Sequence, residues 1–122
     1  MRFTTVTFVG FDSVPQEVYM LQDTGTFHVL ALLENNDDEK ISGREQLSIL
    51  QDMADISDIV LLNGKENYSV TETILLYSVY SNKTPIIQVG GKEPTNYVLK
   101  EMICNRKESV NDAVKYLLDN YA

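Results

Sequence analysis

Cysteine occurs once in this chain, at Cys104, and histidine once, at His28; tryptophan is absent and proline appears three times. A lone cysteine cannot close an internal disulfide, so the fold must stand on its packing, and the chain fits a reducing compartment. Cys104 is expected to behave as a small core hydrophobe, and His28, in an apolar segment, as a core histidine. One histidine with no cysteine at ligand spacing offers no zinc site. The acidic stretch 35–39 (NNDDE) lacks the spacing of a calcium loop. No apolar run nears the ~20 residues that cross a bilayer, and the opening MRFTTVTFVGFDS lacks the long apolar region of a signal peptide. A cytoplasmic protein without membrane contact is expected.

Cations are also scarce. Ten Lys and Arg stand against eighteen Asp and Glu, a formal net charge of −8. Binding a nucleic-acid polymer needs clustered cations, so that class is excluded. Small anions stay within reach, because N–H groups at a helix N-terminus hold them without lysine. Neither a Gly-x-Gly-x-x-Gly nor a P-loop is present. No cofactor and no metal are predicted.

What is present is a regular alternation. The 122 residues suit one domain, 1–122, large enough to bury roughly 65–70% of its unfolded surface. Residues 4–9 (TTVTFV) end at Gly10, a strand followed by a turn. Pro15 suits the first turn of a helix to about Gln22, with Ser13 as its cap. A second strand spans 26–33 (TFHVLALL), followed by a polar, acidic loop at 34–40. From Ser42 to about Ile56, Leu47, Leu50, Met53 and Ala54 recur at helical steps. Residues 58–62 (DIVLL) are continuous and β-branched, as strands buried on both faces are. A helix over 69–81 offers Ile74, Leu75, Tyr77 and Ser78 to its inner face, and Asn82-Lys83 closes it. A strand at 85–89 ends at Gly90-Gly91; a short helical turn and a last strand follow from Tyr97. A terminal helix over 109–121 carries Val110, Ala113, Val114, Leu117 and Leu118 as its stripe. Strands alternating with helices predict an α/β three-layer sandwich, flavodoxin-like or Rossmann-like, with a mostly parallel sheet of about five strands.

Three carboxylates are expected to meet at one edge of the sheet, and such a fold binds ligands outside the carboxyl ends of its strands. Asp52 lies on one helix, Glu66 in the loop after the central strand, and Glu72 in the first turn of the next helix. A carboxylate against an anomeric carbon acts as nucleophile or stabilises an oxocarbenium-like centre. A second carboxyl exchanges a proton with the leaving base. The structural alternative is equally concrete. Ser69-Val70-Thr71-Glu72 is a capping box, in which serine and glutamate each satisfy an orphan N–H. Asp52, Asp55 and Asp58 are then a wet face and a turn. Gly10 with Phe11, Asp12 and Ser13 is a strand-to-helix turn able to cradle a phosphate.

The run DMADISDIVLL over 52–62, the Ser-x-x-Glu helix start at Ser69–Glu72, and NKTPII over 82–87 together resemble the nucleoside 2-deoxyribosyltransferase family. They also resemble its smaller relatives in bacteria and phages. The resemblance implies that Glu72 is the nucleophile that takes the sugar and that Ser69 binds the sugar or its phosphate. It places Asp52 against the nucleobase and Glu66 at an acidic position of the catalytic loop. Asn96 falls at the asparagine that reaches a neighbouring subunit's site, so a homo-oligomer is implied. Phe8-Val9-Gly10 resembles the family's first strand, with Phe8 where a tyrosine is usual and Gly10 at the substrate turn. Glu66 replaces Asp, and Tyr68 stands at a glycine position. The first expectation is therefore a nucleoside or nucleotide (deoxy)ribosyltransferase or N-glycoside hydrolase acting on a small-molecule nucleoside or nucleotide. The departures motivate a second: a non-catalytic pocket of the same fold that binds or sequesters a nucleotide-like ligand, in a phage or mobile-element setting. An acidic receiver-like interaction domain ranks third, since only Asp12 lies near the end of the first strand.

Overall fold

A computed structural model describes residues 3–33 and 43–121. The acidic loop at 34–40 and Ser42, expected at a helix start, lie outside the described residues. Five strands, β1 (Thr4–Val9), β2 (Phe27–Leu32), β3 (Ile59–Asn63), β4 (Ile86–Val89) and β5 (Asn105–Lys107), alternate with five helices. These are α1 (Val18–Gln22), α2 (Gly43–Ile56), α3 (Val70–Ser81), α4 (Tyr97–Met102) and α5 (Val110–Tyr121). The strands form one sheet in the order β2-β1-β3-β4-β5, and every pairing is parallel. The protein is an α/β sandwich of the flavodoxin-like, Rossmann-like kind.

Parallel strands covered on both faces must be apolar on both faces, and β3 shows why its continuous run works. Ile59 and Leu61 pack with Phe8, Leu21, Val114 and Leu117. Val60 and Leu62 pack with Leu50, Ala54, Leu75 and Val79 on the other side. Accordingly α1 lies beside α5 on one face, and α2, α3 and α4 pack in succession on the other. Each wholly buried Leu or Ile contributes about 1.5–3 kcal/mol.

Four expectations about single residues change. Ser13 does not cap α1: the N–H groups of Val18, Tyr19 and Met20 bond to the carbonyls of Pro15, Gln16 and Glu17, and Glu17 precedes the helix with no side-chain cap. A tight i→i+3 turn does the work of a cap there. Tyr77 faces outward, while Glu72, Leu75, Leu76 and Val79 form the buried face of α3. That helix is apolar all round, so periodicity does not choose its inner face. Cys104 is exposed, in the short link between α4 and β5. His28 is exposed on the edge strand β2 and stacks on Phe3 with ring centroids 4.3 Å apart.

Candidate functional site

The sheet order makes β1 and β3 neighbours, with the chain leaving them toward β2 on one side and β4 on the other. Their carboxyl ends are the topological switch point, where ligands bind in folds of this kind. Gly10 ends β1 with φ 86°, a left-handed conformation that favours glycine. Asn63 ends β3 and ties the two strands by donating from Nδ2 to the Gly10 carbonyl at 3.0 Å.

The loop from β3 to α3 folds over this junction. Tyr68 donates its hydroxyl to the Asn63 carbonyl at 2.6 Å and accepts the Lys65 N–H at 3.1 Å. Its ring covers Gly10: a Cβ at that glycine would lie 3.4 Å from the ring and 3.3 Å from the Lys65 side chain. Burial pushes the Tyr68 pKa above its usual value of 10.0; the Lys65 N–H pulls it down and the Glu72 charge adds to the rise. Tyr68 is therefore a phenol, and a hydrogen-bond donor, at neutral pH.

Beneath it sits Glu72, 2% exposed. The capping box is formed: Ser69 Oγ accepts the Glu72 N–H at 3.1 Å, and Glu72 Oε1 accepts the Ser69 N–H at 2.8 Å. The second oxygen, Oε2, faces Lys65 Nζ at 3.4 Å. A plain capping glutamate needs no burial. This one is held in a dry position by a cation whose side chain is one-third exposed, an arrangement that costs desolvation and is offset by the charge pair. A helix N-terminus also favours negative charge.

The predicted site residues separate into groups. Gly10, Ser69 and Glu72 come together at the switch point. Glu66 lies on the same loop but turns outward to Lys92, 3.2 Å away. Asn96 lies on the β4–α4 loop, which reaches the β3–α3 loop through a Thr95 N–H to Glu66 carbonyl bond. Its side chain caps α4 by accepting the Val98 N–H at 2.8 Å. Asp52 is exposed on α2, one turn before Asp55. That Asp55 meets Asn82 at the opposite, amino edge of the sheet, so Asp52 is not brought to Glu72. Phe8 is wholly buried and meets Phe11 edge-on at 5.6 Å, supporting the first loop from beneath.

Sequence reading missed Lys65 and Asn63. The available signal was a polar residue closing an apolar strand, then a lysine seven positions before a carboxylate. It missed Gln88 too, whose Nε2 is fixed by the carbonyls of Gly90 and Lys92 while its buried Oε1 has no partner among the described residues. Among those residues no group of three or more His, Cys, Asp or Glu is arranged to hold a metal. No described helix is long and apolar enough to cross a membrane.

No family profile and no curated protein sequence matches the chain. Its fold is similar to that of a solved structure, a 3-dehydroquinate dehydratase-like protein from Bifidobacterium longum. The two share 14% identity over 98% of this chain and 94% of that one, with a TM-score of 0.54. A likeness at that identity concerns the fold alone.

Proposed function

We propose that the protein acts on the N-glycosidic bond of a nucleoside or nucleotide, with Glu72 as nucleophile. The observation that carries this reading is the setting of Glu72. It is a buried carboxylate at the switch point, with one oxygen fixed by the Ser69 N–H at 2.8 Å and the other facing a partly exposed lysine at 3.4 Å. Entry of a substrate moves Lys65 and the Tyr68 ring aside and leaves Oε2 pointing at the incoming sugar. An Oε2 lone pair forms a bond to the anomeric carbon as the bond to the base nitrogen breaks, its electron pair leaving with the base. The base takes a proton from solvent, since Glu66 turns outward to Lys92. Water or a second base then attacks the same carbon and gives its proton to solvent, as the bond to Oε2 breaks and the carboxylate is released unchanged. Ser69, three residues before the nucleophile, holds the helix start rigid through both steps.

A second reading, binding without turnover, is favoured by the ring of Tyr68 over Gly10 and by the absence of a hydroxyl at Phe8. In that case the junction of β1 and β3 takes a nucleotide-like ligand and Glu72 remains a cap. Incubation with deoxynucleosides and deoxynucleotides, followed by chromatography for free base, separates the two. Base release that disappears in Glu72→Gln supports the enzyme. Calorimetric binding with no release supports the second reading, and neither binding nor release sinks both.

A further inference from the structure

Five polar residues are buried among those described. Thr5, Thr7 and Ser57 lie toward the amino edge of the sheet, where the hydroxyls of Thr7 and Ser57 bond to each other. The other two, Glu72 and Gln88, lie at the carboxyl edge. They share the face that α3 and α4 cover, since Ile86, two residues before Gln88, packs there with Leu75 and Met102, and alternate residues of a strand point the same way. The Gln88 amide has one workable orientation. Its Nε2 donates to the carbonyls of Gly90 at 3.2 Å and Lys92 at 3.4 Å, and a reversed amide would set oxygen against oxygen. Oε1 is thus left as a buried acceptor with no partner among the described residues, a state that native folds rarely leave unfilled. Gln88 and Glu72 also have one cover. Gly64 lies against Gln88, because a Cβ there would sit 2.9 Å from Nε2, and the next residue, Lys65, is the partner of Glu72. Gln88 further lines a cleft of about 440 Å³ with Gly90, Gly91 and Arg106.

We propose that Gln88 reads the base of the substrate and selects bases that carry an exocyclic amine. That the ligand is a nucleoside rests on the glycosidic reading; the choice of base rests on Gln88. Such a substrate needs a residue against its base, and neither Asp52 nor Glu66 turns toward Glu72. With its donors spent, the Gln88 amide offers an acceptor alone, so the complementary group is an N–H. The cations of the cleft do not call for an anion: Arg106 is paired with Glu93, and Lys107 lies over the Tyr116 ring at 4.4 Å. Bases carry two kinds of N–H. The ring N–H of uracil or hypoxanthine has a keto oxygen beside it, which would be pressed against Oε1 and the carbonyls of Gly90 and Lys92. The amine of cytosine or adenine projects past the ring with no keto oxygen next to it. The amine therefore fits, and the keto base is rejected by repulsion between acceptors. The movement of Lys65 and Tyr68 that bares Glu72 Oε2 carries Gly64 off Gln88 as well, so both side chains meet one bound nucleoside.

Amino and keto substrate pairs test this: deoxycytidine against deoxyuridine, and deoxyadenosine against deoxyinosine. Base release should favour the amino member about tenfold or more in each pair. Gln88→Met keeps the bulk and removes the acceptor, so it should level the two rates. If circular dichroism shows that Gln88→Met does not fold, the side-chain amide resonance of Gln88 in the unaltered protein serves instead, and should shift with cytosine and not with uracil. Equal or reversed preference overturns the assignment, as does a preference that survives in folded Gln88→Met or a resonance that both bases shift alike. If no nucleoside is cleaved, the glycosidic reading alone falls, and calorimetry with free cytosine and free uracil decides. Cytosine bound about tenfold tighter or more upholds Gln88 as the base reader; equal binding, or none, overturns it.

Discussion

Asp58 and Glu72 stand at opposite ends of one sheet, and each carboxylate accepts a backbone N–H at 2.8 Å. At the amino edge, Asp58 takes the N–H of Thr5, 53 residues away in sequence. Nearby, the hydroxyls of Ser57 and Thr7 meet at 2.6 Å. That end is a joint, locking β1 to the start of β3 through contacts distant in the chain. At the carboxyl edge, Glu72 takes the N–H of Ser69, three residues away, a bond the helix could make anywhere. The remaining interaction of Glu72 is with a lysine on a loop. The same bond type thus serves two purposes. A carboxylate whose partners are fixed strands holds the fold, and the proposed chemistry falls to the one whose second partner can swing away.

The sharpest way to break this contrast is a pair of substitutions. Glu72→Gln keeps an oxygen for the Ser69 N–H, and Lys65, one-third exposed, can turn to solvent, so stability should fall by only about 1 kcal/mol. Base release should fall about a thousandfold, ~4 kcal/mol in activation free energy. Asp58→Ala should do the reverse. Losing the acceptor for Thr5 costs about 2 kcal/mol, a melting temperature lower by roughly 8 °C, with turnover per folded molecule unchanged. Kinetics and thermal melts on both variants check the crossed pattern, and two variants with the same profile would erase the distinction. Ser69→Ala sits between them: loss of the cap costs about 1 kcal/mol, with a partial loss of release, since the carboxylate's helix start loosens.

The smallest effect is on pH. Because burial raises the pKa of Tyr68 in the folded state, the unfolded chain releases that proton first as pH climbs. Its contribution to stability is therefore full below pH 10.0 and declines from there through the folded value. Tyr121 is raised also, mainly by burial, so Tyr68→Phe should remove only part of the alkaline loss in a denaturant titration. An unaltered alkaline slope in that variant would show that Tyr68 is not buried over Gly10.

Much of this architecture was legible because it depends on short-range signals. The β-branched strands, the glycines that end β1 and β4, and the Ser69–Glu72 box declare themselves within a few residues. Residues whose fate depends on distant neighbours did not. Cys104 and Tyr77 look apolar enough to be buried, yet among the described residues nothing covers either one. At the site, the order Glu66, Ser69, Glu72 is visible in sequence, but the closing of Lys65 and Tyr68 over Glu72 arises from the loop's path across β1. Asp52 has the right residue type on the right helix. It lies too close to the amino end of the sheet to join Glu72, because α2 runs back along the strands before β3 begins.

The most direct measurement is the intact mass of the protein after incubation with a deoxynucleoside, followed by peptide mapping. A mass increase of one deoxyribosyl group is expected, located on the peptide that contains Glu72 and absent from Glu72→Gln. No adduct, or an adduct that persists in Glu72→Gln, would contradict it.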